Sequence, residues 1–304
     1  MQNSMNAVQG KKCVVTGGAG FVGVHLCTLL AHEGGEVVSV DTRATTAAGA
    51  TSVVADIGDR DALISAFSGA SYVFHLAARV SVPESIEIPA AYFETNVMGT
   101  LNVLEAARSM AVPPRVVLAS SAAVYGDQTE ASVHEQLTPF PKSQYAETKL
   151  VTERMAALWH ALYGLETVSI RPFNIYGPGM SAEGAYASAI GIFLTKKQQG
   201  LPILITGNGE QTRDYVHVHD VAHAYLLAAT SEAVGHGEVI NIASGRGVTM
   251  NAVARLVGGE ITYVTARPGD ILHSRADITK AQTLLGFLPH ISLEEGIRGL
   301  VETL

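Results

Sequence analysis

The sequence predicts an α/β protein in which a doubly wound parallel sheet is joined to a smaller, C-terminal α/β lobe. Three observations lead there. Apolar runs of four to seven residues alternate with longer stretches of helical periodicity, which is the pattern of a parallel sheet covered on both faces. A glycine-rich turn, Gly17-Gly18-Ala19-Gly20-Phe21-Val22-Gly23, directly follows the first of those runs and opens the first helix. The chain has 304 residues, 47% of them hydrophobic, enough for a large core and one smaller unit, and its 30 glycines suit many strand-to-helix turns.

The first strand is expected at 12–16, Lys12-Cys13-Val14-Val15-Thr16, and the first helix at 21–33. The start of that helix presents free backbone N–H groups and a positive dipole end, the arrangement that holds a pyrophosphate. Missing side chains at Gly17, Gly20 and Gly23 allow the tight turn, close phosphate approach and close helix packing, so with Phe21 and Val22 these residues form a Rossmann-type dinucleotide fingerprint. A second strand at 36–41 ends in Asp41, eighteen residues past Gly23. Its carboxylate suits the ribose hydroxyls of adenosine and repels a 2'-phosphate, which favours NAD over NADP. Arg43, which in another setting would meet a 2'-phosphate, is read as a loop arginine. Further strands are expected at 51–55, 72–77, 115–120 and 166–171, and helices at 59–67, 89–110 and 143–163. Beyond Asn174 the pattern loosens into Gly/Pro turns, a helix near 184–199 and a short strand at Ile203 to Thr206, before strand and helix patterning returns over 215–243. No internal repeat or low-complexity tract interrupts it.

Ligands of open α/β sheets bind outside the carboxyl ends of the strands, so Gly17, Asp41, Ala77, Ala78, Ser120 and Ser121 are expected to face one crevice. The helix at 143–163 brings Tyr145 and Lys149 to the same crevice on one face, since residues four apart are neighbours on a helix. A free tyrosine titrates near 10, roughly three units too high for a general base at neutral pH, and a neighbouring cation favours the phenolate. Lys149 is spaced to supply that cation.

A formal charge of −8 argues against a nucleic-acid partner, which calls for a basic face. Cys13 and Cys27 are too few for a disulfide framework, lack metal spacing, and read as packing residues of a reducing compartment. The N-terminal stretch has no apolar signal core and no run approaches 18 apolar residues, so a soluble, cytoplasmic protein with no membrane partner is expected. His217 and His219 share a face, but no third ligand of suitable spacing accompanies them and no metal is expected.

The ordered motifs GGAGFVG, the acidic second-strand end, Asp56-Ile57, His75-Leu-Ala-Ala78, Asn96, Ser120-Ser121-Ala-Ala-Val-Tyr125-Gly126, Tyr145-Ala-Glu-Thr-Lys149, Arg171-Pro-Phe-Asn174-Ile-Tyr-Gly-Pro178, Arg213-Asp-Tyr-Val-His217-Val-His-Asp220 and Arg267-Pro-Gly-Asp270 resemble those of the extended short-chain dehydrogenase/reductases. Within that group the chain is most similar to the UDP-hexose 4-epimerases, from about Lys11 to its C-terminus. The resemblance implies NAD as tightly held cofactor and a UDP-sugar as substrate. It implies Tyr145 as base, Lys149 as the group that lowers its pKa and holds the nicotinamide ribose, and Ser121 as hydrogen-bond partner of the reacting oxygen. Asp56 and Ile57 would hold the adenine side, with Ala77, Ala78 and Asn96 also lining the cofactor. Asn174, Arg213 and Arg267 would contact the diphosphate and Asp270 the uridine ribose. Segment 215–243 would rejoin the main sheet, dividing the chain into an NAD-binding unit of 1–174 plus about 215–243 and a nucleotide-sugar lobe of about 175–214 plus 244–304. The two long helices would pair across a two-fold axis, making a homodimer.

Two departures bear on the reaction. The 4,6-dehydratases of this family carry an Asp-Glu pair after the catalytic hydroxyl, whereas Ser121 is followed by Ala122 and Ala123, leaving no acid for elimination of water. Four residues past Asp270 lies Ser274, where epimerases confined to unsubstituted hexoses carry a tyrosine; a serine leaves room for an N-acetyl group. A UDP-glucuronate 4-epimerase, a 4-keto sugar reductase and a non-catalytic NAD-sensing protein share the fold and remain alternatives.

Overall fold

The computed structural model describes residues 7–128, 132–182, 188–265 and 273–304. In chain order the strands are β1 (Lys12–Thr16), β2 (Glu36–Asp41), β3 (Ala50–Val54), β4 (Tyr72–His75), β5 (Arg115–Ala119), β6 (Thr167–Pro172), β7 (Asn174–Tyr176), β8 (Ile203–Thr206), β9 (Thr212–His217), β10 (His236–Ile242), β11 (Gly247–Thr249) and β12 (Ile261–Val264). The helices are α1 (Phe21–His32), α2 (Arg60–Phe67), α3 (Val82–Glu87), α4 (Pro89–Tyr92), α5 (Gly99–Arg108), α6 (Gln144–Tyr163), α7 (Ala189–Gln198), α8 (Val218–Thr230), α9 (Met250–Val257), α10 (Thr279–Leu285) and α11 (Leu293–Glu302).

Seven parallel strands form the main sheet in the order β10-β6-β5-β4-β1-β2-β3. Because successive residues of a strand point to opposite faces, the apolar runs split into two cores. Cys13, Val15, Phe74, Val117, Val168 and Ile170 pack on one face with Leu26 and Leu30 of α1 and Val221 and Tyr225 of α8. Val14, Val40, Val73, Val116 and Leu118 pack on the other with Leu63 and Phe67 of α2 and Leu104 of α5. The strand order reverses between β1 and β4, and a crevice opens outside the carboxyl ends at such a reversal. A separate core of Tyr176, Ile190, Phe193, Ile203, Val253 and Ile297 builds the smaller lobe.

Two expectations are corrected, and a third is refined. The helix expected over 89–110 runs continuously from Pro89 to Arg108, and a separate short helix, α3, precedes it, stopping at Glu87 where Ile88 leaves helical geometry (φ −128°, ψ 59°). Proline lacks the N–H needed inside a helix and disfavours α geometry in the residue before it, which accounts for the break. A π turn over Phe93–Met98 then carries Asn96 before α5 begins. β4 ends at His75, two residues early, where the imidazole is buried between the hydroxyls of Thr16 (2.8 Å) and Thr100 (2.9 Å). Of the 215–243 segment only β10 joins the main sheet. β9 pairs instead with β7 and β11 in a three-stranded sheet, where the carboxylate of buried Asp214 accepts from Ser244 N (2.9 Å), Ser244 Oγ (2.6 Å) and Ala276 N (3.1 Å) and so ties the chain after β10 to β9.

The glycine turn is one of the tight points of this fold. Gly17 has φ +74°, and a Cβ at Gly23 would lie 2.1 Å from the Gly17 carbonyl oxygen and 2.7 Å from Gly18 Cα, both immovable backbone. Gly23→Ala should therefore push α1 away from the turn and lower stability by about 1–3 kcal/mol, measured by urea unfolding. An unchanged unfolding midpoint would show that the turn has slack.

Candidate active site

The first turn of α6 is set by Ser143, whose hydroxyl caps the backbone N–H of Ala146 (3.2 Å). That places Tyr145, Lys149 and Glu153 at successive intervals of four, on one helical face turned to the end of β5. Lys149 Nζ donates to the carbonyl oxygen of Ala119 at 2.8 Å. The next residue, Ser120, donates its hydroxyl to Glu153 Oε1. Ser121 hydrogen-bonds the phenol of Tyr145 and also caps the short 3-10 turn Ala122–Tyr125 by accepting from Ala123 N (3.2 Å). Ser121, Tyr145 and Lys149, far apart in sequence, are thus brought together.

Burial dominates the electrostatics of this cluster. It pushes the Tyr145 phenol above its usual value, opposed by the hydrogen bond to Ser121. Burial likewise pushes Lys149 down to about 8, with the Glu153 carboxylate acting in the other direction. The sequence reading expected Lys149 to lower the tyrosine. In the folded chain desolvation of the phenolate is the larger effect, and the ammonium is turned toward the Ala119 carbonyl. His75, buried nearby on β4, is pushed down to about 3 by burial and by Lys149, and stays neutral.

Behind the cluster lies a polar network that the sequence reading did not single out. Glu153 and Arg171 form a two-pronged ion pair, Nε to Oε1 at 2.7 Å and Nη2 to Oε2 at 2.6 Å, with side chains 3% and 4% exposed. The guanidinium lies 4.6 Å from the ring centre of Tyr125, whose hydroxyl donates to Asn241 Oδ1 at 2.7 Å. The available signal was an acid eight residues after Tyr145 and an arginine inside an apolar strand; their pairing is a tertiary event.

At the cofactor end, Asp41 Oδ2 accepts from Ala19 N (3.1 Å), joining the second strand to the glycine turn. Arg43 is folded back, donating to the Ala19 carbonyl at 3.0 Å, and Thr45 donates to that of Gly18 at 2.7 Å. Gly18 is a further required glycine, since a Cβ there would lie 2.3 Å from Ser39 Oγ. Gly20 provides no side-chain cap to α1, so the first-turn amides of Phe21 and Val22 face the crevice without a side-chain acceptor. Bare amides, a dipole end and a nearby carboxylate form a cradle that fits a dinucleotide. Ala77 lies against Gly17, whose Cβ would meet the Ala77 N at 2.6 Å, and Ala78 follows it, half-buried. The Asn96 amide is occupied by the chain itself: Oδ1 accepts from Arg79 N (2.8 Å), while Nδ2 donates to Arg79 O (3.0 Å) and Thr148 Oγ1 (2.9 Å), tying the loop after β4 to α6. Asp56 is exposed and accepts from Gly58 N at 2.7 Å, and Ile57 is buried against Gly99.

On the substrate side, Asn174 Nδ2 donates to the Asp214 carbonyl (2.8 Å) and Arg213 to that of Thr212 (2.8 Å). The Asp214 carboxylate, through Ala276 N, draws the segment containing half-buried Ser274 onto β9 beside Arg213. Arg267 and Asp270 lie outside the described residues. His217 packs edge-on against His219 (4.8 Å) and Tyr176 (5.2 Å), and His25 of α1, unforeseen from the sequence, stacks on His219 at 5.0 Å. Among the described residues no group of three or more His, Cys, Asp or Glu is arranged to hold a metal ion.

With the glycine turn and the Ser/Tyr/Lys cluster both at the carboxyl ends of the parallel strands, comparison with known proteins decides the family. The model of the NAD dependent epimerase/dehydratase family matches residues 13–243. The chain belongs to that family. This family member is 35% identical to the putative UDP-glucose 4-epimerase of Methanocaldococcus jannaschii over 300 residues, covering 95% of this chain and 96% of that one. Its structure is similar to the UDP-N-acetylglucosamine 4-epimerase from Methanobrevibacter ruminantium M1 in complex with UDP-N-acetylmuramic acid (TM-score 0.89, 31% identity, 97% of this chain and 100% of that one). It is also similar to the Thermus thermophilus UDP-glucose 4-epimerase in complex with NAD (TM-score 0.85, 34% identity, 96% and 98%). Relatives at 32% and 31% identity are named UDP-glucuronate 4-epimerase and UDP-N-acetyl-alpha-D-glucosaminuronate decarboxylase, from Thermodesulfobacterium geofontis and Bacillus cytotoxicus, so the family resemblance spans several UDP-sugar reactions. As a member of this NAD-dependent epimerase/dehydratase family, the chain is an enzyme that uses NAD.

Proposed function

We propose that the protein is a UDP-hexose 4-epimerase that interconverts UDP-glucose and UDP-galactose, and also UDP-GlcNAc and UDP-GalNAc, through a transient 4-keto sugar. The observation that supports this reading is that Ser121, Tyr145 and Lys149 come together at the end of β5, with Ala122 and Ala123, rather than acids, following Ser121. NAD, when bound, supplies the hydride acceptor and donor at sugar C4. Tyr145 takes the proton of the 4-hydroxyl as the C4 hydride leaves, and returns it after the keto sugar has turned its other face. Ser121 hydrogen-bonds the reacting oxygen. Lys149 contributes positive charge beside the phenolate and a donor to the nicotinamide ribose. Gly17, Gly20, Phe21, Val22, Gly23 and Asp41 hold the pyrophosphate and adenosine, with Asp56, Ile57, Ala77, Ala78 and Asn96 shaping that half of the crevice. Asn174, Arg213, Arg267 and Asp270 bind the UDP moiety.

The chain is read as two units, 1–174 with about 215–243 for NAD and about 175–214 with 244–304 for the nucleotide sugar. Two buried free cysteines agree with a reducing, cytoplasmic setting. Apolar side chains stand exposed on the faces of the helical segments that would pair in a homodimer, among them Met98, Leu158 and Leu162. A second reading, UDP-glucuronate 4-epimerase, draws on the relative so named.

Purified protein incubated with a panel of UDP-sugars without added cofactor should yield C4 epimers by NMR; a requirement for stoichiometric NADH would point to a reductase. Tyr145→Phe should lower kcat by about 100 to 10,000-fold with cofactor binding retained. Wild-type turnover in that variant would remove Tyr145 from the mechanism. Ser274→Tyr should suppress kcat/KM for UDP-GlcNAc roughly 5 to 150-fold more than for UDP-glucose, because overpacking a formed pocket costs about 1–3 kcal/mol. A constant ratio of the two sugars would show that Ser274 is not the gate. Light scattering should give twice the 31.9 kDa chain mass, and a monomer at micromolar concentration would count against the dimer.

A further inference from the structure

We propose that Glu153 is a positioning residue of the active site, whose carboxylate holds the end of β5 in register with α6 and keeps Lys149 in its ammonium form. The proposal rests on the roles given above to Tyr145 and Lys149. Its geometric basis is a match between two short stretches of chain. Tyr145, Lys149 and Glu153 repeat every four residues on one helical face, and their partners Ser121, Ala119 and Ser120 are three consecutive residues of one strand end. Two of these contacts involve the reacting cluster. The third fastens Ser120, the strand-end residue between the other two partners, so loss of the Glu153 carboxylate would free Ser121 to move against Tyr145.

The cost of this arrangement indicates that it does more than fill space. A buried ion pair is often no more stabilising than apolar residues of similar volume, because both charges must be stripped of water. Here Glu153 is 3% exposed and needs both oxygens on Arg171, with Arg171 in turn stacked on Tyr125. What a carboxylate supplies that apolar residues cannot is negative charge one helical turn from Lys149. The groups facing that ammonium from its surroundings are Tyr145 and Glu153 on α6, His75 on β4 and Arg171 on β6 behind Glu153. His75 is held neutral and Arg171 is a cation, so among these described residues Glu153 is the anion acting on Lys149. Burial already brings Lys149 down to about 8, and Glu153 opposes that fall. Without the carboxylate the lysine would lose its proton below that pH, and a neutral amine neither favours a phenolate nor repays its own burial.

The experiment follows Lys149 directly, by NMR titration of the NAD-loaded protein carrying 13C-labelled lysine, with the signal assigned by its loss in Lys149→Met. The variants are Glu153→Gln, which keeps the shape but replaces one acceptor oxygen by a donor, and Glu153→Gln/Arg171→Met, which removes the stranded buried cation. The double variant should lower the Lys149 midpoint by about one pH unit, the net effect of losing a carboxylate one turn away and the Arg171 charge behind it, and Glu153→Gln, which leaves Arg171 uncompensated, should lower it further. The protonated fraction at pH 8 then drops about fivefold, and kcat at that pH should follow it, with KM changed by less than about twofold. A midpoint within about 0.2 pH unit of wild type in the double variant would overturn the proposal and leave Glu153 a purely structural residue. The titration needs no turnover, so a protein that epimerises none of the UDP-sugars would sink the functional reading while Glu153's effect on Lys149 could still be read.

Discussion

The grip of α6 on the end of β5 is the constraint on which the rest of the site depends. Catalytic groups of an open α/β sheet come from strand ends and from the helices that cross them, and their mutual placement is no better than the contact between those elements. Here that contact consists of three polar bonds on consecutive strand residues, made by side chains at intervals of four on the helix. The Ser120–Glu153 bond is fully buried and the other two are partly so, and burial makes such bonds stringent, because a polar group that loses its partner there has little water to replace it. The ion pair of Glu153 with Arg171 extends the same requirement to β6, and Tyr125 with Asn241 extends it to β10.

The cofactor end is built on the opposite principle. There the chain withholds side chains instead of pairing them: Gly17, Gly18 and Gly23 sit where a Cβ would collide with fixed atoms, and Gly20 leaves the start of α1 uncapped. Backbone amides and the helix dipole then face the crevice. Asp41 and Arg43 both bond to the backbone of Ala19, one as acceptor and one as donor, so the carboxylate at the end of β2 braces the turn. Asp214 performs a similar bracing role in the smaller lobe, fastening Ser244 and Ala276 beside Arg213.

Much of the fold was legible because its signals are local. The apolar runs of β1, β2, β3, β5 and β6 and the glycine turn depend on residues within a few positions of one another, and their boundaries agree with the structure to within a residue or so. The helix over 89–110 was legible in the same way and runs from Pro89 to Arg108, while the π turn at Phe93–Met98 inside it leaves no sequence period to read. The pairing of β9 with β7 and β11 is not legible in the sequence because the paired residues lie far apart along the chain, Asn174 with Tyr215 and Gly247 with Asp214.

For the site, the sequence by itself determined the inventory: the glycine cradle, Asp41, and a serine, tyrosine and lysine whose spacing puts the last two on one helical face. Only the tertiary structure decided their electrostatic state. A pKa follows from the water and charge around a group, and burial of Tyr145 and Lys149 outweighs the attraction that their spacing suggested. The tertiary structure also decided that Asn96 binds the backbone of Arg79, that His25 joins His219, and that Glu153 meets Arg171. Each of these pairs joins residues distant along the chain, and no local periodicity encodes which buried polar groups will find one another when the two faces of the sheet close.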